Sequence, residues 1–155
     1  ICDDYSTDGT REILLDFQKK YPDKIILRLQ EKNVGLKHNY FENKKVCRGK
    51  FVAICEGDDY WTDPYKLQKQ VDFLEKNPDY SMIFTNALEI FEQINWKKKP
   101  APFTKLENRD YSGSEILINW MIPTATVVYR NNINYEFKQI ENFLFYDTPL
   151  FLKIY

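Results

Sequence analysis

Apolar positions along the chain alternate between two periods. In REILLDFQKKY, Ile13, Leu14, Phe17 and Tyr21 recur at helical spacing, which predicts a helix over 10–21. Ser6, Thr7, Asp8 and Gly9 supply turn and helix-start chemistry ahead of it, and Lys19, Lys20 and Pro22 close it. KIILRL (24–29) reads as a strand, and QEKNVG (30–35) as a loop. A helix is expected over 36–47, with Gly49 as its C-terminal stop. FVAIC (51–55) is a buried-strand run, and EGDDYW follows as a loop. Asp63-Pro64 then pairs an N-cap with proline at the first helical position. Leu67, Val71 and Leu74 give that helix an apolar stripe, which ends before Asn77-Pro78, and YSMIFTNA (80–87) is the next strand.

Ile1 to Asp3 looks like the end of a strand, so the chain is expected to be cut from something longer at its N-terminus. LFLKIY stops inside an apolar periodic segment, which extends the same expectation to the C-terminus. Residues 93–110, with Lys97 to Lys99, Pro100 and Pro102, read as a crossing loop. Ser112 to Trp120 is expected as a short helix, TATVVYR (124–130) as a strand and 148–155 as a helix. Strand–helix–strand alternation predicts an α/β fold with a mostly parallel sheet and helices on its faces. The chain reads as one domain in two halves, residues 1–92 and 93–155.

Composition narrows the function classes. Apolar residues make up 43% and aromatics 16%, which describes a globular chain. A net charge of −1 gives no electrostatic case for nucleic acid. Cys2, Cys47 and Cys55 are odd in number and have no CxxC spacing; Cys2 and Cys55 lie in apolar runs, so buried reduced thiols and a cytoplasmic setting are expected. No apolar run approaches a membrane span, so membrane association, if any, at the cytoplasmic face is not encoded by a spanning segment.

Acidic residues carry the candidate chemistry. From Asp4 the spacing D-x-S-x-D-G opens like an EF-hand, but position twelve is Leu15 where a bidentate Glu is required. Parallel strands share one carboxyl rim, which is where open α/β sheets bind ligands. Asp3 and Asp4 close one strand, and Asp58 and Asp59 lie just beyond another, so both pairs are expected on that rim. Crowded like charges raise one another's pKa unless a cation neutralises them. His38 is the only histidine and the cysteines are not clustered, which favours a hard, oxygen-ligated ion over zinc. Asp8 and Asp63 read as caps. With no GxGxxG or Walker glycines to cradle phosphate, a metal bridging carboxylate and diphosphate is the inferred chemistry.

Three blocks together resemble the family 2 glycosyltransferases, inverting enzymes of Rossmann-like GT-A fold. CDDYSTDGT looks like the family's nucleotide-binding DDxSxDGT segment; FVAICEGDDYW with DPYKLQKQVDFLEKNPD looks like the metal-binding DxD block and its helix; FLFYDTPLFLKI looks like the block that supplies the catalytic carboxylate. The resemblance implies that Asp4 contacts the nucleotide base, with Asp3 supporting the loop. It further implies that Asp58 lies near ribose and metal, that Asp59 ligates Mg²⁺ or Mn²⁺, and that Asp147 is the general base. It implies a nucleotide-sugar donor, with uridine diphosphate as the expected carrier, a glycan or lipid-linked acceptor, and a role in cell-surface polysaccharide synthesis. Three departures stand out: the family's first strand is absent, Tyr146-Asp147 stands where Glu-Asp is common, and no Q/RxxRW element is seen, which favours single-sugar transfer. Trp61, beside the acidic loop, is a candidate for stacking on a sugar face. Two alternatives stay open from the residues themselves: a receiver-like phosphoacceptor domain using Lys99, and a sugar nucleotidyltransferase.

Overall fold

The computed structural model describes residues 1–90, 101–119 and 121–132. They fall into two compact units, the chain passing from the first to the second between Arg48 and Gly49. Residues 93–100, Trp120 and the whole of the Asp147 block lie outside the described residues.

In the first unit β1 (Cys2–Asp3) pairs in parallel with β2 (Arg28–Leu29), joined by α1 (Thr10–Lys20) as the crossover. The predicted strand over 24–29 is shortened from its front, because the N–H groups of Lys24 and Ile25 both donate to the Tyr21 carbonyl and close the turn after α1. Ile13, Phe17 and Tyr21 form the expected helical stripe yet are exposed, and no residue of α1 is buried. α2 (Leu36–Lys45) seats Phe41 against the unit. Gly49 is not its stop: the helix ends at Lys45, where the amides of Val46 and Cys47 bond back to Asn43 and Lys44. Gly49 serves a close approach instead, since a Cβ there would meet the Phe51 carbonyl at 3.0 Å.

The second unit carries β3 (Phe51–Ala53), α3 (Lys66–Lys76), β4 (Met82–Ile83), β5 (Leu88–Glu89), β6 (Ala101–Pro102), α4 (Gly113–Asn119), a 3₁₀ turn (Thr124–Thr126) and β7 (Val128–Arg130). β7 lies between β3 and β4 and runs antiparallel to both. β3 and β4 are therefore parallel to each other with α3 as their crossover, so the alternation was read correctly while the inserted antiparallel strand was not. β7 and the residue before it are the apolar centre: Val127, Val128 and Tyr129 are almost fully buried, as is Leu74 of α3. The buried face of α3 is Gln70 and Leu74, turned from the predicted stripe, for Leu67 is exposed and Val71 half-buried. β5 and β6 pair antiparallel as a separate ribbon. Ser112 and Glu115 cap α4 reciprocally: the Glu115 N–H donates to Ser112 Oγ (3.3 Å), and the Ser112 N–H donates to Glu115 Oε2 (2.8 Å).

Candidate functional site

The acidic pair of the first unit is rigidly held. β1 ends at Asp3, and Tyr5 follows with φ +68°, a left-handed conformation that is uncommon outside glycine and reverses the chain. Asp3 is 5% exposed; its Oδ1 accepts from Arg11 Nε at 2.6 Å and from the Ser6 N–H at 3.2 Å. Burial alone would raise its pKa, but the hydrogen bonds from Ser6 and Arg11 outweigh it and hold the carboxyl below the usual aspartate value. Arg11 also donates to the Gln30 carbonyl and lies over the Tyr5 ring, 5.2 Å from its centroid. Asp3 thus ties Ser6 and Arg11 to the end of β1.

Asp4 uses both carboxylate oxygens on backbone. Oδ1 accepts from the Val34 N–H at 2.7 Å and Oδ2 from the Gly35 N–H at 2.9 Å, at the start of α2. Gly35 has φ +84°, a conformation that glycine adopts without the Cβ penalty. An ionised carboxylate offers about four acceptor positions, so Asp4 keeps capacity for a further donor. Behind the pair, Cys2, Gln30 and Asn39 are knitted together: the Cys2 thiol donates to Asn39 Oδ1 (2.7 Å), and Asn39 Nδ2 donates to the Cys2 carbonyl (3.4 Å).

The second pair belongs to the second unit. Ile54 continues the ladder beyond β3, its N–H donating to the Val127 carbonyl at 3.2 Å. The chain then turns outward: the Asp59 N–H donates to the Glu56 carbonyl (3.2 Å), and the Cys55 thiol donates to the Asp59 carbonyl (3.5 Å). Asp58 and Asp59 are both exposed in this turn. Partial burial of the carboxyl group and then the Asp58 charge raise the Asp59 pKa, with a hydrogen bond from Glu56 opposing them. Cys55 is exposed, which corrects the expectation of a buried thiol: the strand ends before it, and the outward turn carries it to the surface. Its thiol pKa is pushed up by burial first and then by Asp59 and Glu56. Cys2 is half-buried, and all three cysteines are free thiols.

Asp8 and Asp63 brace the turns just ahead of α1 and α3 but are not the N-caps predicted for them, because the helices start later and the cap positions fall on Gly9 and Tyr65. Asp8 Oδ1 accepts from the Thr10 hydroxyl (2.7 Å) and N–H (3.2 Å), and Asp63 Oδ1 accepts from the Tyr65 N–H (2.8 Å). Trp61 is half-buried, and its Nε1–H donates to the Ala125 carbonyl at 2.8 Å. Asp147 lies outside the described residues.

Among the described residues no group of three or more His, Cys, Asp or Glu side chains is arranged to hold a metal ion. Magnesium is ordinarily bound through one or two carboxylates plus substrate phosphates. Two exposed aspartates in one turn, the second with its charged form disfavoured, fit an ion shared with a diphosphate and not one enclosed by protein alone.

Sequence reasoning missed Arg11, Lys66 and Gln70. Arg11 carried a signal: a cation in the first turn of a helix opposes the helix dipole, so it needs an anionic partner nearby. Gln70 lies at i−4 from Leu74 and is flanked by no other apolar position on that row, which left its burial invisible.

The sequence profile described as Glycosyl transferase family 2 matches residues 1–137. The chain belongs to this family. An uncharacterized protein of Mycobacterium tuberculosis is 37% identical over 137 residues, covering 88% of this chain and 39% of the relative. A Bacillus subtilis protein that carries the glycosyltransferase name EpsE is 36% identical over 94 residues, 61% of this chain and 33% of the relative. A second from Bacillus subtilis, TuaG, named as a teichuronic acid biosynthesis glycosyltransferase, is 36% identical over 74 residues, 48% of this chain and 29% of the relative. The chain thus spans no more than 39% of the length of these curated relatives. Family membership brings with it the Rossmann-like GT-A α/β fold, which agrees with the mixed parallel and antiparallel strands and the helices described above. It also separates the chain from the receiver-like and nucleotidyltransferase alternatives. Among the described residues no helix is long and apolar enough to cross a membrane.

Proposed function

We propose that the protein transfers one sugar from a nucleoside-diphosphate sugar to an acceptor hydroxyl, with metal assistance and inversion at the anomeric carbon. The observation that carries this reading is the exposed Asp58–Asp59 pair directly beyond β3, in which the charged form of Asp59 is disfavoured by partial burial and by Asp58. A divalent cation held by this pair would relieve that cost, and family membership supports a nucleotide-sugar donor.

Asp59 would ligate Mg²⁺ or Mn²⁺ with Asp58 beside it, and the ion would supply charge stabilisation for a departing diphosphate. Asp4, fixed by the Val34 and Gly35 amides, is assigned to the nucleotide base, and Asp3 to holding its loop. Asp147 is assigned as general base. It accepts the acceptor O–H proton as that oxygen bonds to the anomeric carbon, while the bond from that carbon to the diphosphate oxygen breaks on the opposite face. One displacement with one base inverts the centre, so an α-linked donor gives a β-glycoside; a glycosidase pair of carboxylates is not required. Uridine diphosphate is the proposed carrier. A glycan or lipid-linked acceptor in cell-surface polysaccharide synthesis is proposed, for which the teichuronic acid biosynthesis in the name of TuaG is the support, and Trp61 is proposed to contact the sugar.

The test is transfer by the full-length protein from a panel of nucleotide sugars, with magnesium, manganese or chelator present. Asp147→Asn is expected to retain donor binding and to lose transfer. Undiminished turnover in that variant removes Asp147 from the mechanism, and equal turnover under chelator removes the metal.

A further inference from the structure

Both ends of the acidic turn are tied to one short strip of chain. At its start the Ile54 N–H donates to the Val127 carbonyl (3.2 Å), and at its end Trp61 Nε1–H donates to the Ala125 carbonyl (2.8 Å). Only Tyr60, which is exposed, separates Asp59 from the second anchor. The strip itself is gripped by α3. Gln70 Nε2 donates to the Thr126 carbonyl at 3.0 Å, and Lys66 Nζ donates to the same oxygen at 3.2 Å. From β4 onward, the Thr85 N–H donates to Thr126 Oγ1 at 3.2 Å.

Lys66 joins all of these parts. Its ammonium also donates to Gln70 Oε1 at 2.7 Å and lies 4.8 Å from the centroid of the Trp61 ring. An ammonium has three donors and no acceptor. One carbonyl, one amide oxygen and one indole face therefore account for the directions available to it. A cation over a tryptophan face is attracted by the ring's negative quadrupole, more strongly as water is removed. Burial lowers the Lys66 pKa, in keeping with that partial removal from water.

We infer that Lys66 is a positioning residue for the acidic turn: by clamping the Trp61 ring and the Thr124–Thr126 turn together, it fixes how Asp58 and Asp59 are presented. The functional weight of that presentation rests on the metal reading above, but the clamp itself does not depend on any ligand. A loop pinned at both ends to one rigid strip loses freedom before binding, and that preorganisation is what a two-carboxylate ion site needs. Lys66 is thereby a holder of the site and not a contact to substrate.

The experiment is hydrogen exchange by mass spectrometry on the ligand-free, full-length protein. Lys66→Met is expected to speed exchange in peptides covering 55–62 and 121–127 by about tenfold, a loss of local protection corresponding to about 1.4 kcal/mol. Lys66→Arg, which keeps a cation and several donors, is expected to stay close to the native rate. Exchange in α1 and α2 should not change in either variant. If Lys66→Met does not fold, Trp61→Phe keeps a ring for the cation while removing the Nε1 donor, and it should loosen the 55–62 peptide in the same way. Unchanged exchange over 55–62, or equal acceleration across the whole chain, overturns the inference. Titrating Mn²⁺ with uridine diphosphate into the native protein then separates the two ideas. Local loosening without any native metal-dependent binding leaves the clamp standing and removes the metal reading.

Discussion

Replacing Arg11 by methionine should strand a buried carboxylate. The Asp3 side chain is 3% exposed and receives Arg11 Nε at 2.6 Å, while the Arg11 side chain keeps 24% exposure. Removing one partner of a buried ion pair costs about 3–5 kcal/mol. Because water reaches Arg11 and the Ser6 N–H still serves Asp3, we expect a cost at or just below the lower end of that range, about 2–3 kcal/mol. For a chain of this size each kcal/mol moves Tm by about 2–4 °C, so the loss should be roughly 4–12 °C. The pH dependence carries the sharper test. In the native protein the Asp3 pKa is depressed, so its stabilisation is complete above the unfolded value of about 3.9 and is lost as pH falls through the folded value. Without Arg11 burial is the leading influence, the folded pKa moves up, and acid relieves the penalty. The Tm gap between native protein and Arg11→Met should therefore narrow from pH 7 toward pH 4, and Asp3→Asn in the Arg11→Met background should recover part of the loss. A gap that stays constant over that range, or a shift below about 1 °C at pH 7, refutes the reasoning.

Three further expectations follow from other sites. Asp59→Asn removes a carboxylate whose charged form is disfavoured, so the metal-free variant should melt no lower than the native protein by scanning calorimetry; a clear fall in Tm would contradict the raised pKa. Ser112→Ala deletes the N-cap of α4 and should cost about 1 kcal/mol in a urea titration, against no change if the cap is idle. The Glu115 half of the same cap has its pKa lowered to about 2, through the Ser112 N–H first and then Arg109 and the Ser112 hydroxyl. Its contribution should be complete above the ordinary glutamate range, shrink steadily as pH falls below it and be gone once pH passes about 2, the folded value that carboxyl chemical shifts read directly.

The sequence made the helices and the acidic turn legible because each carries a local signal. Thr10–Lys20, Leu36–Lys45, Lys66–Lys76 and Gly113–Asn119 all fall within segments expected to be helical, with ends displaced by a few residues. The strands were read as longer than they are. Apolar runs such as KIILRL give no mark for where pairing ends, and there the turn bonds to Tyr21 take the first residues. The position of β7 between β3 and β4 depends on partners about 45–80 residues away, which no local pattern reports. For the same reason the aspartates could be named from spacing, whereas their holders could not. Arg11, the Val34–Gly35 amides, Lys66 and Gln70 act through contacts set by tertiary packing.

The most direct test of the account is calorimetric titration of uridine diphosphate into the full-length protein with Mn²⁺ or with chelator. Metal-dependent binding that is lost in Asp59→Asn and weakened in Asp4→Asn is the predicted result. Binding that is as tight under chelator, or that survives Asp59→Asn unchanged, contradicts the claim that the acidic turn holds its nucleotide through an ion.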